Sequence, residues 1–261
     1  MPRLAANLST LFPEVPFLDR FALAATCGFR AVEVQFPYAV PAAEIARRLD
    51  DTDLTLVMFN LPPGDWDRGE RGLACLPGRE DEFRDGVARG VAYARALGVR
   101  MVNCLAGVAP PAGNRSVRET LVANLHHAAT ALAAEGMTLL VEAVNTRDVP
   151  GFYLSRGRQV LDVIDDVGLP NLALQYDVYH MRMMNEDLRA TIRAQLPRIA
   201  HIQVSDVPGR HEPGSGDIDF GSLLPWLDEI GYRGWVGCEY VPAGGTREGL
   251  GWARQWLQGG A

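Results

Sequence analysis

Four oxygen-bearing side chains each follow a short apolar run in the second half of the sequence. Buried carboxylates repel one another and need a compensating charge, for which a divalent cation is the simplest choice. Oxygen ligands suit Mg²⁺ or Mn²⁺ better than Zn²⁺, which favours His and Cys. Taken singly, each residue could be a helix cap or a solvated loop residue, but four at intervals of about one βα unit favour a shared metal site. The four residues are Glu142, Asp177, Gln203 and Glu239.

Two further polar residues lie close to these positions in the sequence. His180 follows Asp177 by three residues and could orient a substrate oxygen, although a lone histidine is also often structural. Arg210 lies in a polar, glycine-rich segment, 206–217, just after the apolar run that carries Gln203. A guanidinium there could clamp a carboxylate with two parallel hydrogen bonds, and the alternative is an ordinary surface arginine.

The other histidines are not predicted to take part in this site. His201 begins a predicted strand and is expected to face away from the site. His126 and His127 lie in the middle of a predicted helix and are interpreted as structural or solvent-facing.

All 25 basic residues are arginine, and the sequence contains no lysine. A Schiff-base aldolase and a pyridoxal phosphate enzyme both need a lysine amine, so both are excluded. A phosphate-binding P-loop, which ends in Gly-Lys-Ser/Thr, is excluded for the same reason. No nicotinamide or flavin motif is present either, so no organic cofactor is expected.

The charge and hydropathy patterns exclude further classes of protein. The net charge is −7 and no basic stripe is present, which argues against a nucleic-acid partner. The longest apolar runs have about six or seven residues, far fewer than the roughly 20 that span a bilayer. No hydrophobic signal segment is seen near the start, and the four cysteines are widely spaced. We therefore expect reduced cysteines and a cytoplasmic protein without a membrane partner.

Short apolar runs alternate with longer amphipathic segments along the whole chain, and several of the latter end at a glycine, a common helix stop. The predicted strands are Leu4–Leu8, Ala31–Gln35, Leu54–Asn60, Met101–Leu105, Thr138–Ala143, Leu172–Asp177, His201–Val204 and Trp235–Glu239. The predicted helices are Phe17–Cys27, Val40–Leu49, Arg79–Leu97, Ser116–Glu135, Ser155–Val167, Asn185–Gln195, Phe220–Ile230 and Thr246–Leu257.

Eight strands alternating with eight helices, at about 33 residues per unit, predict a (β/α)₈ barrel formed by residues 1–261 as a single domain. An open doubly wound sheet is the alternative, but it usually has a glycine-rich turn after its first strand. The turn here, Asn7–Pro13, contains no glycine. The longest irregular stretch is Leu61–Gly78, and a loop of that length in a compact barrel is more often functional than idle.

With these segments in view, the sequence resembles the hydroxypyruvate isomerase family, within the xylose-isomerase-like superfamily of barrels. The resemblance covers essentially the whole chain and is carried by many motifs at once. The matching stretches are Ala5–Ser9, Phe59–Trp66, Glu70–Gly72, Cys75–Arg79, Asn103–Gly107, Asn145–Phe152, Gln175–Met181 and Gly209–Gly216.

The resemblance implies a TIM barrel that binds Mg²⁺ or Mn²⁺ through the four residues already named. It also implies that Glu142 and Glu239 are the proton donor and acceptor. Related ketose epimerases often have histidine where this chain has Gln203, as hydroxypyruvate isomerases do. The residues then expected to bind substrate are His180, Arg210, Asn60, Trp66, Glu70 and Arg71, the last three covering or lining the mouth of the site.

The resemblance thus implies an aldose–ketose isomerase that interconverts hydroxypyruvate and 2-hydroxy-3-oxopropanoate (tartronate semialdehyde) through a metal-stabilised cis-enediolate. One glutamate would remove a proton from the carbon bearing the hydroxyl, and the other would return one to the neighbouring carbon. The closely related 2-oxo-tetronate isomerases are an alternative that the sequence does not separate from this one. The oligomeric state stays open, a homo-oligomer included.

Two other hypotheses come from different functional classes. A DNA-repair endonuclease of the same superfamily would need more histidines for a zinc cluster, and a basic face. Five histidines and a net charge of −7 argue against it. A non-catalytic barrel that binds sugar acids needs a pocket but has no use for two opposed glutamates.

Overall fold

The structure, a computed structural model, describes residues 2–110 and 114–257. Eight parallel strands form a closed barrel in sequence order, and the barrel closes where the first strand pairs with the last. The predicted (β/α)₈ architecture is therefore confirmed. The strands are β1 Arg3–Asn7, β2 Ala31–Val34, β3 Thr55–Asn60, β4 Met101–Cys104, β5 Thr138–Glu142, β6 Leu172–Asp177, β7 Ile199–Val204 and β8 Trp235–Cys238.

Helices cover the outside of the barrel and bury one face of each strand. Two long helices end at glycines in the left-handed conformation, Gly98 with φ 67° and Gly168 with φ 68°, as the glycine signal predicts. The helices are α1 Arg20–Thr26, α2 Ala42–Thr52, α3 Glu80–Leu97, α4 Asn114–Ala133, α5 Gly157–Val167, α6 Val178–Met183, α7 Leu188–Gln195, α8 Phe220–Glu229, α9 Thr246–Gly249 and α10 Arg254–Leu257.

Apart from shifts of up to three residues at helix ends, two segments differ from the sequence prediction. The six-residue helix α6 directly follows β6 and was not predicted, because so short a helix shows no amphipathic period. Asp177 caps it by accepting hydrogen bonds from the backbone N–H groups of Tyr179 (2.8 Å) and His180 (3.2 Å). The predicted final helix, Thr246–Leu257, is instead divided into α9, a 3₁₀ turn at Leu250–Ala253 and α10. Its two internal glycines, Gly249 and Gly251, weaken a continuous helix there.

The inside of the barrel changes from apolar to polar along its axis. Ala5 and Ala31 belong to a small apolar cluster with Met58. Two residues further along the same strand faces stand Asn7 and Glu33, both buried, and the Asn7 amide donates to Glu33 Oε1 at 2.9 Å. The polar half of the interior thus lies toward the ends of the strands, where the predicted site residues are. None of the described helices is both long and apolar enough to cross a bilayer.

Candidate active site

A cavity of about 140 Å³ opens at the carboxyl ends of the barrel strands. In a TIM barrel this end carries the active site, because the βα loops there bring residues from several strands together. The wall combines apolar side chains with charged and amide groups. The lining residues are Gln35, Phe36, Asn60, Trp66, Arg71, Leu105, Glu142, Val144, Asp148, Val149, Phe152, His180, Arg210 and Glu239.

Three buried carboxylates come from the ends of β5, β6 and β8. Glu142 is the last residue of β5, Asp177 is the last of β6, and Glu239 directly follows β8. All three are buried. Because the strands are parallel and neighbouring βα units end at the same rim, the fold brings together residues that lie far apart in the sequence.

One arginine supplies the positive charge closest to these carboxylates. Arg210 Nη2 donates to Glu239 Oε1 at 2.7 Å and to Asp177 Oδ2 at 3.4 Å. Glu142 instead accepts from a neutral amide, Asn103 Nδ2, at 2.6 Å. Both glutamates accept from amides, but only Glu239 also accepts from a guanidinium.

The pKa values of the three carboxyl groups are shifted upward. Burial, and then the charges of Glu239 and Asp177, raise the pKa of Glu142 to about 8. Burial also raises the pKa of Glu239 to about 7, with Arg210 acting in the opposite direction. The pKa of Asp177 is raised as well, again chiefly by burial. One guanidinium does not offset three buried carboxylates, so the site has the electrostatic character of a cation site.

The donor atoms also fit a metal ion. Ligand atoms of Glu142, Asp177 and His180 all lie within 4.8 Å of one another, and among the residues described they form a cluster that could hold a cation. Two of the predicted ligands are in this cluster, together with a histidine that was predicted to bind substrate. Glu239, a third predicted ligand, is joined to Asp177 through Arg210.

Gln203, the fourth predicted ligand, lies directly beneath the carboxylates. Its Nε2 donates to Glu239 Oε2 at 2.6 Å and to Glu33 Oε1 at 2.7 Å. Its Oε1 accepts from Gln175 Nε2 at 2.7 Å, which leaves one lone pair of that oxygen for another partner. The structure thus brings Gln203 to the site, and its role as a ligand stays a prediction.

His201 does not face away from the site, as the sequence analysis expected. His201 and Gln203 both lie in β7, which begins at Ile199. Because they are two residues apart in a strand, their side chains share the inward face. Its Nε2 lies 2.7 Å from Glu33 Oε2, and both side chains are fully buried. On the neighbouring strand β8, where Gly237 pairs with Gln203, a Cβ at Gly237 would come within 2.6 Å of Glu33 Cδ. His201, Glu33 and Gln203 therefore form a polar layer under the cavity.

The orientation of His180 is set by a hydrogen-bonded turn after β5. Asn145 Oδ1 accepts from the backbone N–H groups of Arg147 (3.0 Å) and Asp148 (2.9 Å), so its NH₂ group must face His180 Nδ1, 2.8 Å away. Nδ1 is then the acceptor and Nε2 carries the proton, 3.6 Å from Asp177 Oδ2. Burial, and then Arg210, lower the pKa of His180. A neutral imidazole with a protonated Nε2 suits donation to a substrate oxygen better than binding a cation.

Asp148 lines the cavity and was missed by the sequence analysis. Its Oδ2 accepts from Asn145 Nδ2 at 2.9 Å and from the Tyr179 hydroxyl at 2.8 Å. Burial acts to raise the pKa of Asp148, but these hydrogen bonds outweigh burial and hold it below the usual value. The sequence signal was the pair of residues, Asn145 and Asp148, within one short turn after a predicted strand.

The loop between β3 and α3 forms one side of the cavity. The Arg71 guanidinium lies 3.8 Å from the centre of the Trp66 ring, and that ring packs against Phe36 at 5.1 Å between centroids. Arg71 Nη1 donates to the backbone carbonyls of Trp66 (3.0 Å) and Glu70 (2.8 Å). Trp66 is nevertheless 40% exposed. This loop therefore places a cation and an aromatic ring at the cavity mouth.

Glu70, predicted to bind substrate, is not among the residues that line the cavity. Its carboxylate pairs with Arg79 Nη1 at 2.7 Å and accepts from the backbone N–H of Asp65 at 2.6 Å. Asn60 does line the cavity, and its Oδ1 accepts from Asn103 Nδ2 at 3.1 Å. Glu70 thus acts within the loop, where it holds the two loop ends together.

Comparisons with known proteins agree with this architecture. A family described as Xylose isomerase-like TIM barrel matches residues 21–256. The chain is 49% identical to hydroxypyruvate isomerase of Escherichia coli over 253 residues, covering 97% of this chain and 98% of that one. It is 46% identical to 2-oxo-tetronate isomerase of Cupriavidus necator over 258 residues, covering 98% and 99%.

A solved structure, that of AP endonuclease, family 2, from Brucella melitensis, is also closely similar. Its TM-score is 0.96 at 46% sequence identity, covering 98% of this chain and 99% of that chain. At 49% and 46% identity over nearly full length, the curated isomerases identify this chain as an enzyme of their type. The chain belongs to the xylose isomerase-like TIM barrel family and, within it, to the group of the hydroxypyruvate and 2-oxo-tetronate isomerases.

Proposed function

We propose that this enzyme interconverts hydroxypyruvate and 2-hydroxy-3-oxopropanoate (tartronate semialdehyde). The observation that carries the proposal is the pair of buried glutamates, Glu142 and Glu239, in the wall of one small cavity. Glu142 ends β5 and Glu239 directly follows β8. These two strands are separated by two strands on one side of the barrel and by four on the other. The two glutamates therefore approach a small substrate from different parts of the barrel rim, as two groups that serve successive proton transfers must.

The reaction moves a carbonyl group along the carbon chain. One glutamate removes a proton from C3 of hydroxypyruvate, which gives a cis-enediolate across C2 and C3. The other glutamate returns a proton to C2, while the hydroxyl proton passes from O3 to O2. General acid–base groups of this kind typically contribute about 10²–10⁴-fold to the rate.

The residues proposed to hold Mg²⁺ or Mn²⁺ are Glu142, Asp177, Gln203 and Glu239. Glu142 and Asp177 support this, because they belong to a buried cluster whose ligand atoms lie within 4.8 Å of one another, and Arg210 only partly offsets the negative charge of Asp177 and Glu239. A divalent cation bound there would supply Lewis-acid polarisation of the substrate carbonyl.

The remaining cavity residues are proposed to orient the substrate. His180 presents a protonated Nε2 as a hydrogen-bond donor, and Asn60 offers its amide. Arg210 is already shared by two carboxylates, whereas Arg71 makes hydrogen bonds only through Nη1 among the described residues. Arg71 therefore has free donors with which to bind the carboxylate of the acid.

The size of the cavity restricts the substrate class. A cavity of about 140 Å³ has room for a three- or four-carbon acid. The net charge of −7 argues against an endonuclease, whose substrate is a polyanion, in spite of the name that the Brucella melitensis structure carries.

The deciding experiment is an isomerisation assay in D₂O with Mn²⁺ present. NMR should show deuterium at C2 of the product and turnover that depends on both glutamates. A parallel assay with 2-oxo-tetronate tests the second candidate substrate, which the 46% identical relative favours. A higher kcat/KM for 2-oxo-tetronate would reassign the substrate. Tight binding without turnover of either acid would instead support a non-catalytic sugar-acid binding barrel.

A further inference from the structure

We propose that Asp206 is a positioning residue, which acts on the reaction by fixing Arg210 in the site. Asp206 lies at the start of the connection between β7 and α8 and is not one of the cavity-lining residues. The inference rests on the proposed function, because Arg210 is the group through which Asp206 acts on Glu239 and Asp177.

Asp206 holds both ends of a long loop with one fully buried carboxylate. Its Oδ1 accepts from the backbone N–H groups of Val207 (2.8 Å) and Ile218 (3.0 Å). Its Oδ2 accepts from the backbone N–H groups of Gly214 (2.8 Å) and Gly216 (3.0 Å). Hydrogen bonds to an ionised acceptor are stronger than those between neutral groups, so four of them on one side chain define the loop conformation.

The backbone of Asp206 is tied directly to the segment that carries the arginine. Its carbonyl accepts from the Arg210 N–H at 3.1 Å, and its own N–H donates to the His211 carbonyl at 2.9 Å. Gly209 and Arg210 both have positive φ, 95° and 56°. A non-glycine residue avoids that region unless its surroundings impose it, so the turn at Arg210 depends on the contacts around it.

The contacts of Arg210 depend on its position, because its guanidinium is placed between two carboxylates and an aromatic ring. Nη2 is 2.7 Å from Glu239 Oε1 and 3.4 Å from Asp177 Oδ2, and Cζ lies 5.2 Å from the centre of the Tyr179 ring. A shift of the loop by about 1 Å, which can cost about 10²-fold in rate, would be enough to lengthen both contacts beyond hydrogen-bond distance. The loop conformation thus sets the position of a charge in the site.

Asp206→Asn tests this role with little change in side-chain size. It replaces one acceptor oxygen by an NH₂ group, so two of the four backbone donors lose their partner. Asp219→Asn is the matched control in the same connection, where Asp219 caps α8 by accepting from the Ser222 N–H at 3.1 Å. Asparagine caps a helix about as well as aspartate does.

The first measurement does not depend on activity. Phenylglyoxal labels arginines, and mass spectrometry of the full chain gives the labelling rate of each one. Arg210 should react several-fold faster in Asp206→Asn than in the wild type or Asp219→Asn, while Arg68, whose side chain is 86% exposed, serves as the reference. An unchanged Arg210 rate would overturn the proposal, whether or not the protein isomerises any acid.

The second measurement is a double-mutant cycle. Asp206→Asn should lower kcat/KM about 10²-fold in the wild type. In the Arg210→Ala background it should cost no more than about 2-fold, since no guanidinium is left to place. Equal losses in both backgrounds would show that Asp206 acts elsewhere and would overturn the proposal. A wild type without isomerase activity would refute the proposed function instead, and the labelling experiment would then decide the role of Asp206.

Gly216→Ala is a second route to the same result if Asp206→Asn does not fold. The added Cβ would overlap the Val207 carbonyl and lie 2.8 Å from Asp206 Oδ1, so it disturbs the same end of the loop. We expect faster Arg210 labelling and the same dependence on Arg210 in the cycle. Slow labelling in this variant, with the protein folded, would also contradict the proposal.

Discussion

At the level of single residues, Glu142 and Glu239 differ in that only Glu239 is hydrogen-bonded to a cation. Glu142 accepts from the Asn103 amide, which changes no charge, whereas Glu239 contacts the Arg210 cation. Burial raises both pKa values, to about 8 for Glu142 and to about 7 for Glu239. A guanidinium in contact with one carboxyl group and not with the other gives the two groups different surroundings, which suits them to different roles in the reaction.

Glu142→Gln and Glu239→Gln should each lower kcat by about 10²-fold or more, because each removes a proton-accepting carboxylate and keeps an oxygen ligand. The assay is run with saturating Mn²⁺, so that weakened metal binding is not mistaken for lost chemistry. The double variant should be little worse than either single one, since both groups act in the same isomerisation and losing either one already blocks it. Glu44→Gln, on α2 and outside the cavity, is the control and should keep the wild-type rate. A metal-loaded single variant with near wild-type kcat would contradict the mechanism.

At this scale the sequence predicted the residues at strand ends and missed those defined by tertiary contacts. Glu142 and Asp177 could be found because an apolar run followed by a carboxylate marks the rim of a barrel. Glu33 gave no such signal, because it lies inside a strand and only the closed barrel brings it to His201. The inward direction of His201 was accessible from the alternation of side chains along β7, because His201 and Gln203 are two residues apart and share one face of the strand.

At the scale of whole elements, the loop between β3 and α3 is the part of the site with the largest exposed area of aromatic side chain. Trp66 packs on Phe36 on one side and on the Arg71 guanidinium on the other. Glu70 and Arg79 close the base of this loop with an ion pair at 2.7 Å. The loop therefore presents its cation from a fixed position rather than from a free chain.

Arg71→Ala should raise KM for an anionic substrate by about 10-fold or more while changing the free energy of unfolding little. A hydrogen bond from a charged donor contributes about 1.5–3 kcal/mol, and a partly exposed loop contributes little to the core. Arg68→Ala, in the same loop with a side chain 86% exposed, is the matched control and should leave KM unchanged. Steady-state kinetics and thermal unfolding give the two readouts. A wild-type KM in the Arg71→Ala enzyme would show that Arg71 does not bind the substrate.

The strands were predicted to within two residues at either end, and the helices less well. Parallel strands buried on both faces appear as short apolar runs, which are easy to delimit. α6 has only six residues and depends on the cap from Asp177, so no period in the sequence reveals it. The break between α9 and α10 follows from two glycines whose effect depends on how the last helix packs against the barrel.

For the molecule as a whole, the buried carboxylates link folding stability to pH and to metal. The pKa of Glu142 is raised to about 8 in the folded protein, well above the usual value. The unfolded chain therefore loses this proton at lower pH than the folded chain does. The metal-free protein should lose stability as pH rises from about 5 to 8, and a cation that replaces the protons should restore it.

Mn²⁺ should accordingly raise the melting temperature, and the increase should be larger at pH 8 than at pH 6, because a ligand that binds only the folded state stabilises it by mass action. Differential scanning calorimetry at both pH values measures this. Asp177→Ala should stay folded by circular dichroism but lose the Mn²⁺ effect and most of the activity. A melting temperature that neither Mn²⁺ nor chelators change would show that the four-ligand assignment is wrong.

The polar layer beneath the cavity also limits which sequences can build this barrel. Glu33 reaches across the interior to His201 and Gln203, and the space for its carboxylate exists because residue 237 on β8 has no side chain. A side chain at position 237 would displace the Glu33 carboxylate. Gln203 Nε2 would then lose Glu33 as a hydrogen-bond acceptor. Among related proteins we therefore expect positions 33 and 237 to evolve as a pair. A descendant that replaced Gly237 would first have to acquire a shorter residue at 33.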